Sequence, residues 1–256
     1  MNLIGTELES GVLTVTLQDE ENRNALSVGL TSELTETLDE AEENPDVRVI
    51  ILTNSGRVFC AGADLSERSS HKESKSSTKP IDPLQIFGRF RESSKPYIGK
   101  INGHCVAGGM GIAAAMDISI ATEEAKFGFT EVRIGVAPAM ISVLCLPKMR
   151  PAEASEAFLR GNRFSASEAA RMGLINAAVP ANEIDAVIQE IVSDIKAGGP
   201  EAIAAAKQLT LRVPQMQVEE AFTWTSKLSA NLFKGEEAQE GMRAYLDKRP
   251  PSWINE

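Results

Sequence analysis

The chain has 256 residues, 43% of them hydrophobic, and a formal net charge of −10. That length supports one sizeable core or two small domains, and the acidic balance argues against general nucleic-acid binding, which needs a basic surface. No apolar run approaches the ~20 residues of a membrane span, and residues 1–10 carry Glu7 and Glu9 in place of the basic start of a secretory signal, so a cytoplasmic protein with no membrane partner is expected.

The first elements read as a strand pair. Residues 3–9 and 11–18 form two short strands with Gly11 at the turn; in the second, Leu13, Val15 and Leu17 alternate with Val12, Thr14 and Thr16. A polar turn over 19–26 leads to Ser27, the N-cap of a helix over 28–43 whose Leu30, Leu34, Leu38 and Ala41 share one stripe. Pro45 and Asp46 end it, and the apolar run of 47–53 is a buried-type strand. A loop over 55–64 then enters a helix with Asp64 near its start. Residues 66–81 are mostly charged and serine-rich, and 67–80 reads as a mobile surface loop before a short helix near 82–94. A second core strand at 96–101 precedes a small-residue helix over 108–115, which allows close packing, and a short strand at 117–121. Helices follow at 139–148, 151–159, 167–172 (closed by Gly173), 182–196, 200–211, 216–232 and 236–247. Strand-turn-helix units through residue 150 and helices alone thereafter predict an α/β core with a helical C-terminal part.

Cys60, Cys105 and Cys145 are widely spaced and give no disulfide framework, and with His71 and His104 the only histidines they read as core residues rather than nucleophiles. No Cys/His cluster has zinc spacing, and no H-E-x-x-H, P-loop, dinucleotide fingerprint or G-x-S-x-G elbow occurs, so no metal or redox cofactor is expected. What remains is a pair of glycine turns. Ala61-Gly62-Ala63-Asp64 and Val106-Ala107-Gly108-Gly109 each stand between a strand and a helix. The first turn of a helix offers free N–H groups, and two such turns brought together hold one oxygen between two donors, as an oxyanion hole does. Small-residue turns more often serve tight packing or a reversed φ, so the turns alone carry little.

The order and spacing of several segments carry more. Asn24-Ala25-Leu26-Ser27, Phe59-Cys60-Ala61-Gly62-Ala63-Asp64-Leu65, Asn102-Gly103, Gly108-Gly109, Asp117-Ile118, Phe127-Gly128 with Glu131, Gly135 to Pro138, Gly173-Leu174 and the tail Glu240 to Tyr245 together resemble the enoyl-CoA hydratase/isomerase (crotonase) family over essentially the whole chain. The resemblance implies a crotonase-like spiral of ββα units over 1–195 that binds acyl-CoA, and a C-terminal helical trimerisation region over 196–256. It implies an acyl-CoA thioester as partner, with coenzyme A carried as part of the substrate, in a homotrimer or dimer of trimers. By the match, the backbone N–H groups of Ala63 and Gly108 hold the thioester oxygen and stabilise an enolate, Arg23, Ala25 and Ala61 lie toward coenzyme A, Lys248 belongs to a basic tail that reaches a neighbouring subunit's coenzyme A, and Asp64 serves the helix start rather than proton transfer.

Hydratases of that family place two glutamates at the substrate double bond. Glu131 matches one, and Gly111 stands where the other would be. Glu131 alone still serves as acid/base if burial, with help from Phe127 and Phe129, raises its pKa. The stretch from Thr130 to Ala139 also resembles hydratases of branched or glutaconyl-type CoA esters. Hydration of a 2-enoyl-CoA to a 3-hydroxyacyl-CoA is therefore the first reading. Single-glutamate isomerisation of the double bond is the second, and a non-catalytic acyl-CoA-binding or RNA-associated homologue the third. Ile81, Leu84, Ile86 and Phe87 are candidates for an acyl-pocket wall, and Met140 and Ile141 for its floor. His104 and Cys145 read as packing.

Overall fold

The computed structural model describes residues 2–69 and 83–254. In chain order the elements are β1 Ile4–Glu9, β2 Val12–Leu17, α1 Val28–Glu43, β3 Val49–Asn54, β4 Val58–Cys60, α2 Leu65–Ser69, α3 Pro83–Glu92, β5 Tyr97–Ile101, β6 His104–Val106, α4 Gly108–Ala115, β7 Ile118–Thr122 and β8 Lys126–Gly128. A 3-10 turn over Thr130–Ile134 precedes α5 Ala139–Cys145, α6 Pro151–Arg160, β9 Phe164–Ser165, α7 Ala166–Arg171, β10 Ala177–Val179, α8 Ile184–Ala197, α9 Pro200–Arg212, α10 Val218–Lys234 and α11 Glu236–Leu246. The spiral comes from a repeated step, a strand in a large sheet followed by a strand in a small one and then a helix. The large sheet runs β1-β2-β3-β5-β7-β10 and the small one β4-β6-β8-β9. From β2 onward the large sheet is parallel, and in the small sheet only β8 and β9 run antiparallel.

The long elements form for the reasons the patterning predicts. In β2 the inward set Leu13, Val15 and Leu17 is buried while alternate positions are half-buried. Ser27 caps α1 by accepting from the Leu30 N–H at 3.2 Å, and the stripe Leu30, Leu34, Leu38 and Ala41 is buried. β3 lies between β2 and β5 and is buried on both faces save for Ile51.

Several expectations need correction. The small sheet is absent from the periodicity because β4, β6 and β8 have three residues each, too few for alternation to register. The chain after residue 150 is not helical alone, since β9 closes the small sheet and β10 extends the large one. α7 starts at Ala166, one position early, because Ser165 and Glu168 form a capping box. α5 stops at Cys145 rather than 148, as Pro147 has no N–H with which to continue the helical hydrogen bonds. Of the loop expected over 66–81, residues 66–69 belong to α2, and the rest lies outside the described residues.

The C-terminal helices are tied to the core by a buried cation. Lys207 of α9 is 7% exposed; it pairs with Asp117 at 2.9 Å, donates to the Lys95 carbonyl at 2.8 Å and sits 5.0 Å from the centre of the Tyr97 ring. Beyond α9 the chain buries little. α10 has no buried residue, and Phe222, Phe233, Tyr245 and Leu246 are exposed. No helix among the described residues is long and apolar enough to cross a membrane.

Candidate active site

The two glycine turns meet. β4 and β6 are parallel neighbours, so the turns that follow them leave the small sheet side by side. A Cβ placed on Gly62 would lie 2.6 Å from the Ala107 Cβ and 2.8 Å from the Gly108 nitrogen, and one on Gly108 would lie 3.6 Å from the Ala63 nitrogen. Gly62 has φ +85°, which a side chain would strain in addition. Ala63 pairs with Leu26 in an isolated parallel bridge. Leu26 donates to the Gly62 carbonyl at 2.7 Å, so Leu26 is the member whose backbone groups face across the bridge and the Ala63 N–H faces away from it. Gly108 is the first residue of α4, and its N–H has no acceptor within the helix. Ala107, just before it, holds φ 50° and ψ −126°, a conformation that costs a non-glycine residue about 1–3 kcal/mol. Its N–H donates to the Gly128 carbonyl at 3.0 Å, which anchors the turn to β8.

Asn24 organises the floor under the first turn, and sequence reasoning gave it no role. It is 1% exposed and has φ 49°. Its amide donates to the Val58 carbonyl at 2.7 Å and its oxygen accepts from the Asp19 N–H at 2.8 Å, stapling the 19–26 turn to β4. The clue available in sequence was an asparagine in a polar turn, a residue type that tolerates positive φ. Of the residues assigned to coenzyme A, Ala61 donates to the Arg23 carbonyl at 3.2 Å and Ala25 is buried in the same turn as Arg23, so the 19–26 turn and the start of the loop after β4 are joined here. The Arg23 side chain is exposed. Lys248 is not part of this grouping within one chain. It is exposed after α11, in a segment held to the start of β3 and to α8 by Arg48 donating to the Trp253 carbonyl and Trp253 donating to the Ala197 carbonyl. Asp64 caps α2, accepting from the Ser66 N–H at 2.8 Å and from Asn22 at 2.8 Å; the Ser66 hydroxyl bond leads the effects that hold its carboxyl below the usual range.

Glu131 follows β8 in the 3-10 turn. Phe127 and Phe129 are fully buried and pack into a core cluster with Phe158 and Phe164, which fixes the strand end from which the turn departs. The Glu131 carboxyl is raised above its ordinary value of 4.5, chiefly by burial. Its Oε2 is buried without a hydrogen-bond partner among the described residues, which is unusual for a polar atom in a folded protein. Glu131 also contributes to raising the Cys145 thiol, so the two lie near one another. Cys145 donates to the Met110 carbonyl of α4 at 3.7 Å, and burial pushes its thiol, like that of Cys60, up to about 12. The cysteines are therefore protonated core groups, and His104, accepting from the Lys126 N–H at 3.1 Å, is a packing residue.

Position 111 is filled rather than open. A Cβ on Gly111 would stand 2.5 Å from Ile141 Cγ2 and 2.9 Å from Phe87 Cζ. Ile86, Phe87 and Ile141 are buried, whereas Met140 is 40% exposed. Ile81 and the side chain of Leu84 lie outside the described residues. A cavity of about 520 Å³ at the N-terminal ends of β3 and β5, lined by Val47, Arg48, Lys95 and Ile203 among others, contains none of the site residues. No group of three or more His, Cys, Asp or Glu side chains suited to a metal occurs among the described residues.

The fold is thus a crotonase-type spiral that brings two glycine turns together after β4 and β6 and carries one half-buried carboxyl, Glu131, after β8. Residues 7–256 match the family described as enoyl-CoA hydratase/isomerase, and the chain belongs to that family, whose chemistry is performed on acyl-CoA thioesters. Enoyl-CoA hydratase EchA19 of Mycobacterium tuberculosis is 32% identical, covering 97% of this chain and 95% of that protein. The (E)-benzylidenesuccinyl-CoA hydratase of Thauera aromatica is 32% identical, over 96% of this chain and 97% of its own length. Among solved structures, an enoyl-CoA hydratase of Mycobacterium smegmatis superposes with a TM-score of 0.90 at 29% identity, covering 98% of both chains.

Proposed function

We propose that this protein is an enoyl-CoA hydratase that adds water across the Cα–Cβ bond of a 2-enoyl-CoA, giving a 3-hydroxyacyl-CoA. The observation that carries the reading is the approach of the Ala63 and Gly108 turns, with the unpartnered Glu131 oxygen as the remaining polar group. In this reading the two N–H groups hold the thioester oxygen. The Glu131 carboxylate takes a proton from water as the oxygen bonds to Cβ, and the electron pair of the double bond moves onto the thioester as an enolate. The carboxyl then returns that proton to Cα. One carboxyl suffices when both transfers occur on the same face of the double bond. Burial supports the role, because a carboxyl raised toward neutrality both accepts and returns a proton. Each N–H donor is worth roughly 3 kcal/mol of barrier. Two of the similar proteins are named as hydratases of CoA esters, which supports addition of water.

One observation favours isomerisation as the second reading. The side of the site next to Gly111 is closed by Phe87 and Ile141, so it holds neither a second carboxylate nor a water oriented by one. A lone base suits the transfer of one proton from Cα of a 3-enoyl-CoA to its γ carbon. Arg23, Ala25 and Ala61 take the coenzyme A side, with Lys248 reaching a neighbouring subunit's ligand. The exposed apolar side chains of α10 and α11 are assigned to contacts within a homotrimer or a dimer of trimers, since patches of this kind mark subunit interfaces.

The test is product mass from crotonyl-CoA, 3-methylglutaconyl-CoA and a 3-enoyl-CoA, run beside Glu131→Gln. A gain of one water that the variant loses supports hydration. A shifted double bond without added mass replaces it with isomerisation. No change with any ester, from a protein that still binds acyl-CoA, leaves binding alone.

A further inference from the structure

We propose that Phe87 is a specificity-determining residue: seated with Ile141 in the space that a side chain at position 111 would occupy, it closes the acyl site on the α4 side and selects thioesters with an unbranched Cβ. The inference rests on the reading above only in taking Gly111 to face the reacting carbons. Phe87 comes from α3, Ile141 from α5 and Gly111 from α4, so three separate elements meet at one point. Both side chains are packed into the core. Phe87 is 6% exposed and Ile141 4%, and the ring reaches Gly111 with both Cζ and Cε1, at 2.9 and 3.0 Å from the ideal Cβ position. The contact is made by the ring tip, the part that a shorter side chain gives up. Gly111 itself has no positive φ, so its lack of a side chain answers to this steric filling and not to backbone conformation.

A wall of this kind discriminates by volume. One methyl group more or less in an apolar pocket changes selectivity by roughly 10–200-fold. Phe87→Ala removes the ring and Phe87→Leu removes only its tip, and both leave the Ala63 and Gly108 turns and Glu131 unaltered in sequence. The experiment measures Kd by calorimetry for two saturated, unreactive thioesters, butyryl-CoA and the β-branched 3-methylbutyryl-CoA. It adds kcat/KM for the matching 2-enoyl esters.

The expected result is a preference for the branched over the straight ester that rises about tenfold in Phe87→Ala and in the same direction, by less, in Phe87→Leu. If Phe87→Ala does not fold, which circular dichroism reports, Phe87→Leu decides. An unchanged ratio of the two Kd values in a folded variant overturns the proposal, whatever the turnover. If the wild-type protein turns over neither enoyl ester while the Kd ratio still shifts, the catalytic reading falls and the role of Phe87 stands.

Discussion

The two sides of this site are built from different materials. In the proposed function the oxygen-binding side is backbone: two turns brought together because β4 and β6 are neighbours and because Gly62 and Gly108 let them approach. The side proposed to transfer the proton is made of side chains: one carboxyl at Glu131, and Phe87 and Ile141 packed against Gly111. The first side tolerates little change in shape, since an added Cβ at Gly62 meets the neighbouring turn at 2.6 Å. On the second, one substitution removes a carboxyl without touching either turn.

The sharpest way to separate the sides is Glu131→Gln. Loss of the acid/base should lower kcat by about 10³-fold, within the 10²- to 10⁴-fold range of general acid–base catalysis. The fold should be retained, and stability should improve at neutral pH. The sign follows from the raised carboxyl: between its ordinary value of 4.5 and the raised value the folded state binds more protons than the unfolded one, so stability falls as pH rises through that window. Denaturant titrations across pH should show the two proteins equal below 4.5 and the variant more stable above the raised value. The wild-type kcat/KM should climb with pH over the same window, since the base works ionised.

Gly62→Ala attacks the other side. The added Cβ meets the Ala107 Cβ at 2.6 Å and the Gly108 nitrogen at 2.8 Å from a φ of +85°. It should push the turns apart and lower kcat by about 10²-fold, the effect of losing one donor, together with a fall in melting temperature. Loss of stability without loss of kcat would sink the assignment of these N–H groups.

A control lies outside both. Lys207→Met removes the ion-pair partner of the partly buried Asp117, which keeps its bond from the Tyr97 N–H, and should cost about 3 kcal/mol of stability, read by denaturant unfolding, with kcat little changed. The smallest effect is expected at Ala107. Glycine there relieves the conformation at φ 50° and should raise stability by about 1 kcal/mol, while kcat drops a few-fold as Gly108 loses a rigid neighbour. A rise in kcat would mean that the strain hinders the site instead of holding it.

The amino-acid sequence by itself determined the long elements, because a buried stripe over α1 or an alternating face over β2 is written at a fixed period in adjacent residues. It also determined what chemistry is available: two small-residue turns, Glu131, and no carboxyl at Gly111. The tertiary structure decided the rest. The three-residue strands β4, β6 and β8 are too short to carry a period and form only as neighbours in a sheet, yet they are what bring Ala63 beside Gly108. Lys248 is set apart from the other coenzyme A candidates within one chain, because the segment after α11 is held through Trp253 against α8 and the start of β3. Sequence showed that Gly111 lacks a side chain. Only the packing of α3 and α5 on α4 showed that Phe87 and Ile141 fill the space, since no local rule connects residues so far apart in the chain.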